Sequence, residues 1–183
     1  YNEEAVLRET GQRLCGVLRH LQAGSKVSAA SRVYFVDDGS RDRTWSLIAD
    51  MVSGGEPVAG VRLSRNRGHQ NALLAGLLTA PGDALISIDA DLQDDVEQIA
   101  TMVDRHLDGC DIVYGVRKER AADTWFKRTS AGAFYRLLAL LGVETIEHHA
   151  DYRLMSRRAV EALRRYGEVN LYLRGIVPLL GFP

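Results

Sequence analysis

The sequence predicts an α/β domain with a mostly parallel sheet covered by helices on both faces. Three observations carry this. Short apolar runs rich in β-branched and aromatic residues recur along the chain, each is closed by an acidic, polar or glycine-containing turn, and each is followed by apolar residues at helical spacing. Four strand-then-helix units in succession favour parallel pairing, because each helix returns the chain to the same end of the sheet.

The chain opens at Tyr1-Asn2-Glu3-Glu4, a helix-start signal in which Asn2 caps and the two glutamates complement the helix dipole. Val6, Leu7, Leu14, Val17, Leu18 and Leu21 carry that helix onward. Val33-Tyr34-Phe35-Val36 reads as a buried strand, residues 44–51 as a helix, 58–63 as a second strand and 70–78 as a helix. A third strand over 84–88, a helix over 96–107 and a fourth strand over 112–114 complete the regular part. Beyond Gly115 a basic, aromatic segment leads to an amphipathic helix over 126–141, a short strand over 152–155 and a last helical part.

A length of 183 residues, 46% of them apolar, supports one domain, 1–183, with a substantial core. The formal net charge of -1 gives no general attraction to nucleic acid, so any basic site must be local. Cys15 and Cys110 fit no metal or disulfide spacing and read as small buried hydrophobes in a reducing compartment. No stretch approaches the roughly 20 apolar residues of a membrane-spanning helix. In an α/β domain a strand is expected before Tyr1, so the chain reads as a fragment.

Ligands of open parallel sheets bind beyond the carboxyl ends of the strands. Two strands end there in acids: Val36-Asp37-Asp38-Gly39-Ser40, followed by Asp42 and Thr44, and Ile88-Asp89-Ala90-Asp91-Leu92-Gln93-Asp94. Asp89 and Asp91 at i, i+2 can turn both carboxylates toward one pocket, where their repulsion calls for a cation; hard oxygen ligands suit Mg²⁺ or Mn²⁺ bridging to a diphosphate. The plainer alternative is a solvated acidic turn capping the next helix. Asp37-Asp38-Gly39-Ser40 is also good turn sequence, yet a turn needs no adjacent acids, and one carboxylate could accept the imide hydrogen of a uracil.

These segments, together with Tyr1-Asn2-Glu3-Glu4 and Arg65-Asn66-Arg67-Gly68-His69-Gln70-Asn71-Ala72, resemble the motifs of inverting family-2 glycosyltransferases of the GT-A fold. The similarity is greatest to the polyprenyl-phosphate branch, which includes dolichyl-phosphate mannose synthase and bacterial undecaprenyl-phosphate glucosyl- and N-acetylglucosaminyltransferases. Later segments are similar to that branch too: 113–117, 125–128, 151–157 and 170–175. This chain has Asp94-Asp95-Val96-Glu97 where many members have Asp-Pro-Pro-Glu, and Ala150-Asp151 where Gly-Asp is common.

The resemblance implies that Tyr1, Glu3 and Asp37 border the nucleobase and that Asp38, Arg65 and His69 join the donor pocket. It further implies that Asp89 faces the nucleoside, with Asp91, Gln93 and Asp89 serving the metal and diphosphate. Residues 1–115 would be the nucleotide-sugar-binding half and 116–183 the acceptor-binding, membrane-proximal half, with membrane helices beyond. The implied partners are a UDP-sugar, polyprenyl phosphate and the cytoplasmic face of the cell membrane, with no nucleic acid; homo-oligomerisation is left open.

A phosphate monoester is largely dianionic near neutral pH, its second pKa being about 6, so the acceptor needs positioning more than deprotonation. Arg117 and Arg128 are the natural clamps for it, with Arg153 and Arg174 as further candidates, because guanidinium offers planar paired donors. Asp91 and Asp151 are the candidate catalytic acids, Asp151 to orient sugar or acceptor or to act as a base. His148-His149 does not suggest a metal pair, since strand neighbours face opposite ways. Trp125, Phe126, Phe134 and Tyr135, interleaved with basic residues, suit either a headgroup region or an ordinary core-facing helix. Two rivals are a receiver-like Mg²⁺-binding signalling domain and an inactive nucleotide-sugar-binding module; no GxGxxG follows a strand, which disfavours a dehydrogenase.

Overall fold

The computed structural model describes residues 1–116, 149–166 and 172–183. Helices and strands alternate through α1 (Leu7–Ala23), β1 (Val33–Asp37), α2 (Thr44–Ser53), β2 (Val58–Arg62), α3 (His69–Thr79), β3 (Ala84–Ser87), α4 (Gln98–Leu107) and β4 (Ile112–Val116). They are followed by β5 (His149–Ser156), α5 (Arg157–Arg164) and α6 (Leu173–Leu179). The expected helix over 126–141 lies outside the described residues, as do Arg117, Arg128 and the aromatic segment around Trp125.

β1 and β2 pair in parallel with Phe35 opposite Gly60, as the connection through α2 leads one to expect. The other sheet corrects the parallel expectation. Its order is β3-β5-β4, with β5 antiparallel to both neighbours. β3 and β4 therefore share a direction without touching as strands, and β5 lies between them. Residues 151–156 are all buried, as a central strand requires, but burial on both faces carries no information about direction.

The start of α1 also differs from expectation. Its N-cap is Val6, which makes no side-chain cap bond. Asn2, at φ 59°, instead accepts the Arg41 N–H on Oδ1 at 3.0 Å. The N–H groups of Asn2, Glu3 and Glu4 donate to Ser40 Oγ, Thr44 Oγ1 and Asp42 Oδ2, and the Arg43 N–H donates to Glu4 Oε2. Residues 2–4 thus form a clasp on the turn after β1, and polar partners across that clasp replace a local cap.

α1 straddles two core clusters. Leu7 and Cys15 pack with Phe35, Leu47, Ile48, Met51 and Val58. Leu14, Val17 and Leu21 pack with Val96 and Val103 and with the half-buried Ile86, Ile88 and Leu92. A third cluster joins Met155 of β5 to Val160 and Leu163 of α5 and Leu173 and Val177 of α6. Burying each such side chain favours the folded state by roughly 1.5–3 kcal/mol, which makes these clusters the anchors for the strand ends. Among the described residues no helix is long and apolar enough to cross a membrane.

Candidate functional site

Asp37 is the buried last residue of β1, and Asp38 follows it directly. Asp37 accepts the Ser40 N–H on Oδ1 at 2.9 Å, which closes the turn. Among the described residues its Oδ2 accepts no hydrogen bond; it lies 3.4 Å from Arg62 Nε, with the side chain fully buried. Asp38 accepts the N–H of Arg67 on Oδ1 at 2.6 Å and that of Gly68 on Oδ2 at 2.9 Å. Both its oxygens therefore shape the 65–68 segment. Gly39 makes that approach possible: its φ is +68°, and a Cβ there would sit 2.6 Å from the carbonyl carbon of Arg65.

Gly68 is the N-cap of α3, so the bond to Asp38 also aims His69. His69 Nε2 donates to Asp151 Oδ2 at 2.9 Å and stands 3.8 Å from Asp89 Oδ1. The two acidic turns and β5 are joined in this way around the start of α3. Asp89 is half-buried and Asp91 exposed; Asp91 Oδ1 accepts the Gln93 N–H at 3.0 Å, and Leu92 between them has φ 59°.

Asp151 is the hub of the site. Besides His69, its carboxylate accepts from Gln70 Nε2 at 3.1 Å, Arg153 Nη2 at 2.6 Å, and Arg174 Nη2 at 3.1 Å and Nε at 3.4 Å. Ser87 Oγ donates to its backbone carbonyl at 2.5 Å, and Gln70 Oε1 accepts the Leu173 N–H at 3.3 Å, tying the first turn of α6 to the same point. Arg153 is 1% exposed, and among the described residues its Nε and Nη1 have no hydrogen-bond partner.

The electrostatics follow from these contacts. Burial alone would raise Asp151, but the bonds from His69 and Arg174 and the charges of Arg174 and Arg153 hold it well below the usual carboxylate range. His69 is raised, chiefly by its bond to Asp151. Asp89 is raised by burial and by the nearby charges of Asp91, Asp94 and Asp151, against the opposing pull of His69. Burial lowers Arg153, and Asp151 counters it.

That crowding of acids around Asp89 is what a divalent cation would relieve. Among the described residues no group of three or more His, Cys, Asp or Glu forms a protein-only metal cage. Two carboxylates at a turn, with the remaining positions left to water and phosphate oxygens, is the donor set that Mg²⁺ or Mn²⁺ commonly takes beside a diphosphate. Asp89 and Asp91 fit such an ion, with Gln93 adjacent.

Of the residues expected from sequence, the structure brings Asp38, His69, Asp89, Asp151, Arg153 and Arg174 into one connected set. Asp37 adjoins it through the turn, Glu3 is part of the clasp on that turn, and Tyr1, exposed, directly precedes the clasp. Arg65 is exposed beside Gly39. Arg117 follows the last residue of β4 but lies, like Arg128, outside the described residues. Gln70 and Ser87 were not singled out from sequence; Gln70 sits inside the quoted 65–72 motif and Ser87 ends β3, which were the available signals.

Comparison with known proteins bears on this arrangement. The family model described as glycosyl transferase family 2 matches residues 1–164. An uncharacterized glycosyltransferase of Bacillus subtilis (strain 168), YkoT, is 51% identical over 184 residues, covering 100% of this chain and 55% of that protein. The bactoprenol glucosyl transferase of Shigella phage SfV is 39% identical over 150 residues, covering 81% of this chain and 49% of that protein. A prophage bactoprenol glucosyl transferase homolog of Escherichia coli (strain K12) is likewise 39% identical over 150 residues, covering 81% of this chain and 49% of its own length. The chain spans about half the length of these relatives.

Proposed function

The chain belongs to glycosyl transferase family 2, and from that premise we propose that it transfers a sugar, glucose or N-acetylglucosamine, from a UDP-sugar to polyprenyl (undecaprenyl) phosphate with inversion, for cell-envelope glycan modification. The observation that carries this reading is the run of contacts from Asp89 through His69 to Asp151 and its two arginines, Arg153 and Arg174. The relatives named bactoprenol glucosyl transferase support the choice of acceptor and favour glucose.

On this reading Asp37 is the acceptor for the uracil imide, with Tyr1 and Glu3 at the base and Asp38 and Arg65 shaping the adjoining segment. Asp89 and Asp91 hold Mg²⁺ or Mn²⁺, with Gln93 beside them; when bound, the ion offsets the charge that develops on the departing diphosphate. Arg174, with Arg117 and Arg128, positions the acceptor phosphate, and the buried Arg153 supports Arg174 through their shared partner Asp151. A phosphate oxygen forms a bond to the anomeric carbon as the bond to the UDP β-phosphate oxygen breaks; UDP leaves with the electron pair, the configuration inverts, and no proton need move.

Asp151 is then a positioning group and not a base. Its two oxygens are occupied by donors from four side chains, which disfavours proton uptake, and a dianionic acceptor does not require it. The site works at the cytoplasmic face of the cell membrane, where a lipid-borne phosphate is presented.

The test is to incubate the full-length protein with a panel of nucleotide sugars and undecaprenyl phosphate and to identify the lipid product by mass. A lipid-linked hexose from a UDP donor is expected. Absence of any lipid-linked product across the panel would overturn the reading.

A further inference from the structure

α1 presents Leu14, Val17 and Leu21 to the residues that flank the acid turn, Ile88, Leu92 and Val96. One helical turn before Leu14 the same stripe carries a threonine. Thr10 is 1% exposed, and its Oγ1 lies 2.7 Å from the carbonyl oxygen of Ala90 and 3.0 Å from that of Val6. A hydroxyl has one proton to give. The Val6 contact is the ordinary back-bond of a helical threonine, whereas the Ala90 contact is shorter and links residues 80 apart in sequence.

Ala90 separates Asp89 from Asp91, and its carbonyl lies in the peptide plane from which Asp91 departs. Holding that oxygen restrains the relative direction of the two acids. The turn needs such restraint: Leu92 sits at φ 59°, a left-handed conformation that a side chain of its kind rarely adopts. The same helix begins at the clasp on residues 40–44, so α1 spans the distance between the two acidic turns.

We propose that Thr10 is a positioning residue of the donor site, its hydroxyl fixing the Ala90 carbonyl and thereby the spread of Asp89 and Asp91 that receives the divalent cation and diphosphate. This rests on the donor reading given above. Groups that orient metal-ligating residues typically change metal affinity by about 10–100-fold when removed.

The experiment compares the full-length protein with Thr10→Val and Thr10→Ser, reading Mn²⁺ binding in the presence of UDP by titration calorimetry, with thermal melting alongside. Thr10→Val is expected to weaken Mn²⁺ binding by about 10–100-fold, and Thr10→Ser, which keeps the hydroxyl, to bind like the parent. A valine variant that binds Mn²⁺ as the parent does, or a serine variant that loses binding while folded, overturns the inference and makes Thr10 a packing residue. The serine arm decides the matter even if the valine variant does not fold. A parent protein that binds neither Mn²⁺ nor UDP overturns the donor reading and this inference with it.

Discussion

His69 Nε2 donates to Asp151 Oδ2 at 2.9 Å, joining the first residue of α3 to a strand 82 positions later. Through that bond a histidine fixed by one acidic turn meets the carboxylate that holds two arginines. The buried partner, Arg153, depends on Asp151 for its charge balance. Replacing Asp151 by Asn leaves that guanidinium buried without a counter-ion and should lower stability by about 3–5 kcal/mol. Urea unfolding followed by tryptophan fluorescence measures this, and an unchanged midpoint would refute the hub.

Asp91 is exposed, and among the described residues its side chain bonds only to a backbone N–H two residues away. Asp91→Asn should change stability by no more than about 0.5 kcal/mol while abolishing sugar transfer. The same loss is expected when EDTA removes divalent cations from the parent. Turnover that survives either treatment would remove Asp91 from its role.

Gly39 combines a left-handed φ with the backbone of Arg65 against its α-carbon. Gly39→Ala should cost more than about 1 kcal/mol, because alanine is strained at this φ and its methyl group displaces the 65–66 backbone. The displacement should also raise KM for the nucleotide sugar more than it lowers kcat. Steady-state kinetics on a folded variant separates the two.

Asp111, directly before β4, has a carboxylate that accepts from Arg158 Nε at 2.5 Å, Arg158 Nη2 and Ser156 Oγ at 2.6 Å. Arg158 chiefly, with Ser156, holds its pKa down to about 2 against the cost of burial. A folded pKa below the unfolded value of about 3.9 means that Asp111 stabilises the fold above roughly pH 4. That stability is lost as the pH falls from there toward 2. Melting temperatures between pH 2 and 7 should show the decline, and Asp111→Asn should melt lower at pH 7 with a shallower slope in the acid range.

Much of the site was legible because apolar strands that stop in acids announce a sheet edge, as at Asp37 and Asp89. The run over 152–155 was legible as a strand, but a strand buried on both faces reads the same in either direction, so its antiparallel place between β3 and β4 was not. Asn2 reads as a helix cap on local grounds, and only the folded turn reveals Arg41 as its partner. Gln70 and Thr10 escaped for a similar reason. A polar residue on a helix carries no local mark of which carbonyl or carboxylate it will meet 80 residues away.

Val116 and His149 stand opposite one another where β4 and β5 pair. The sequence between them therefore leaves and rejoins the domain at adjacent points. The bonds that set the acid turns, from Asp38 to Gly68 and from His69 to Asp151, are made by residues on either side of it, so rewriting the intervening sequence removes none of them.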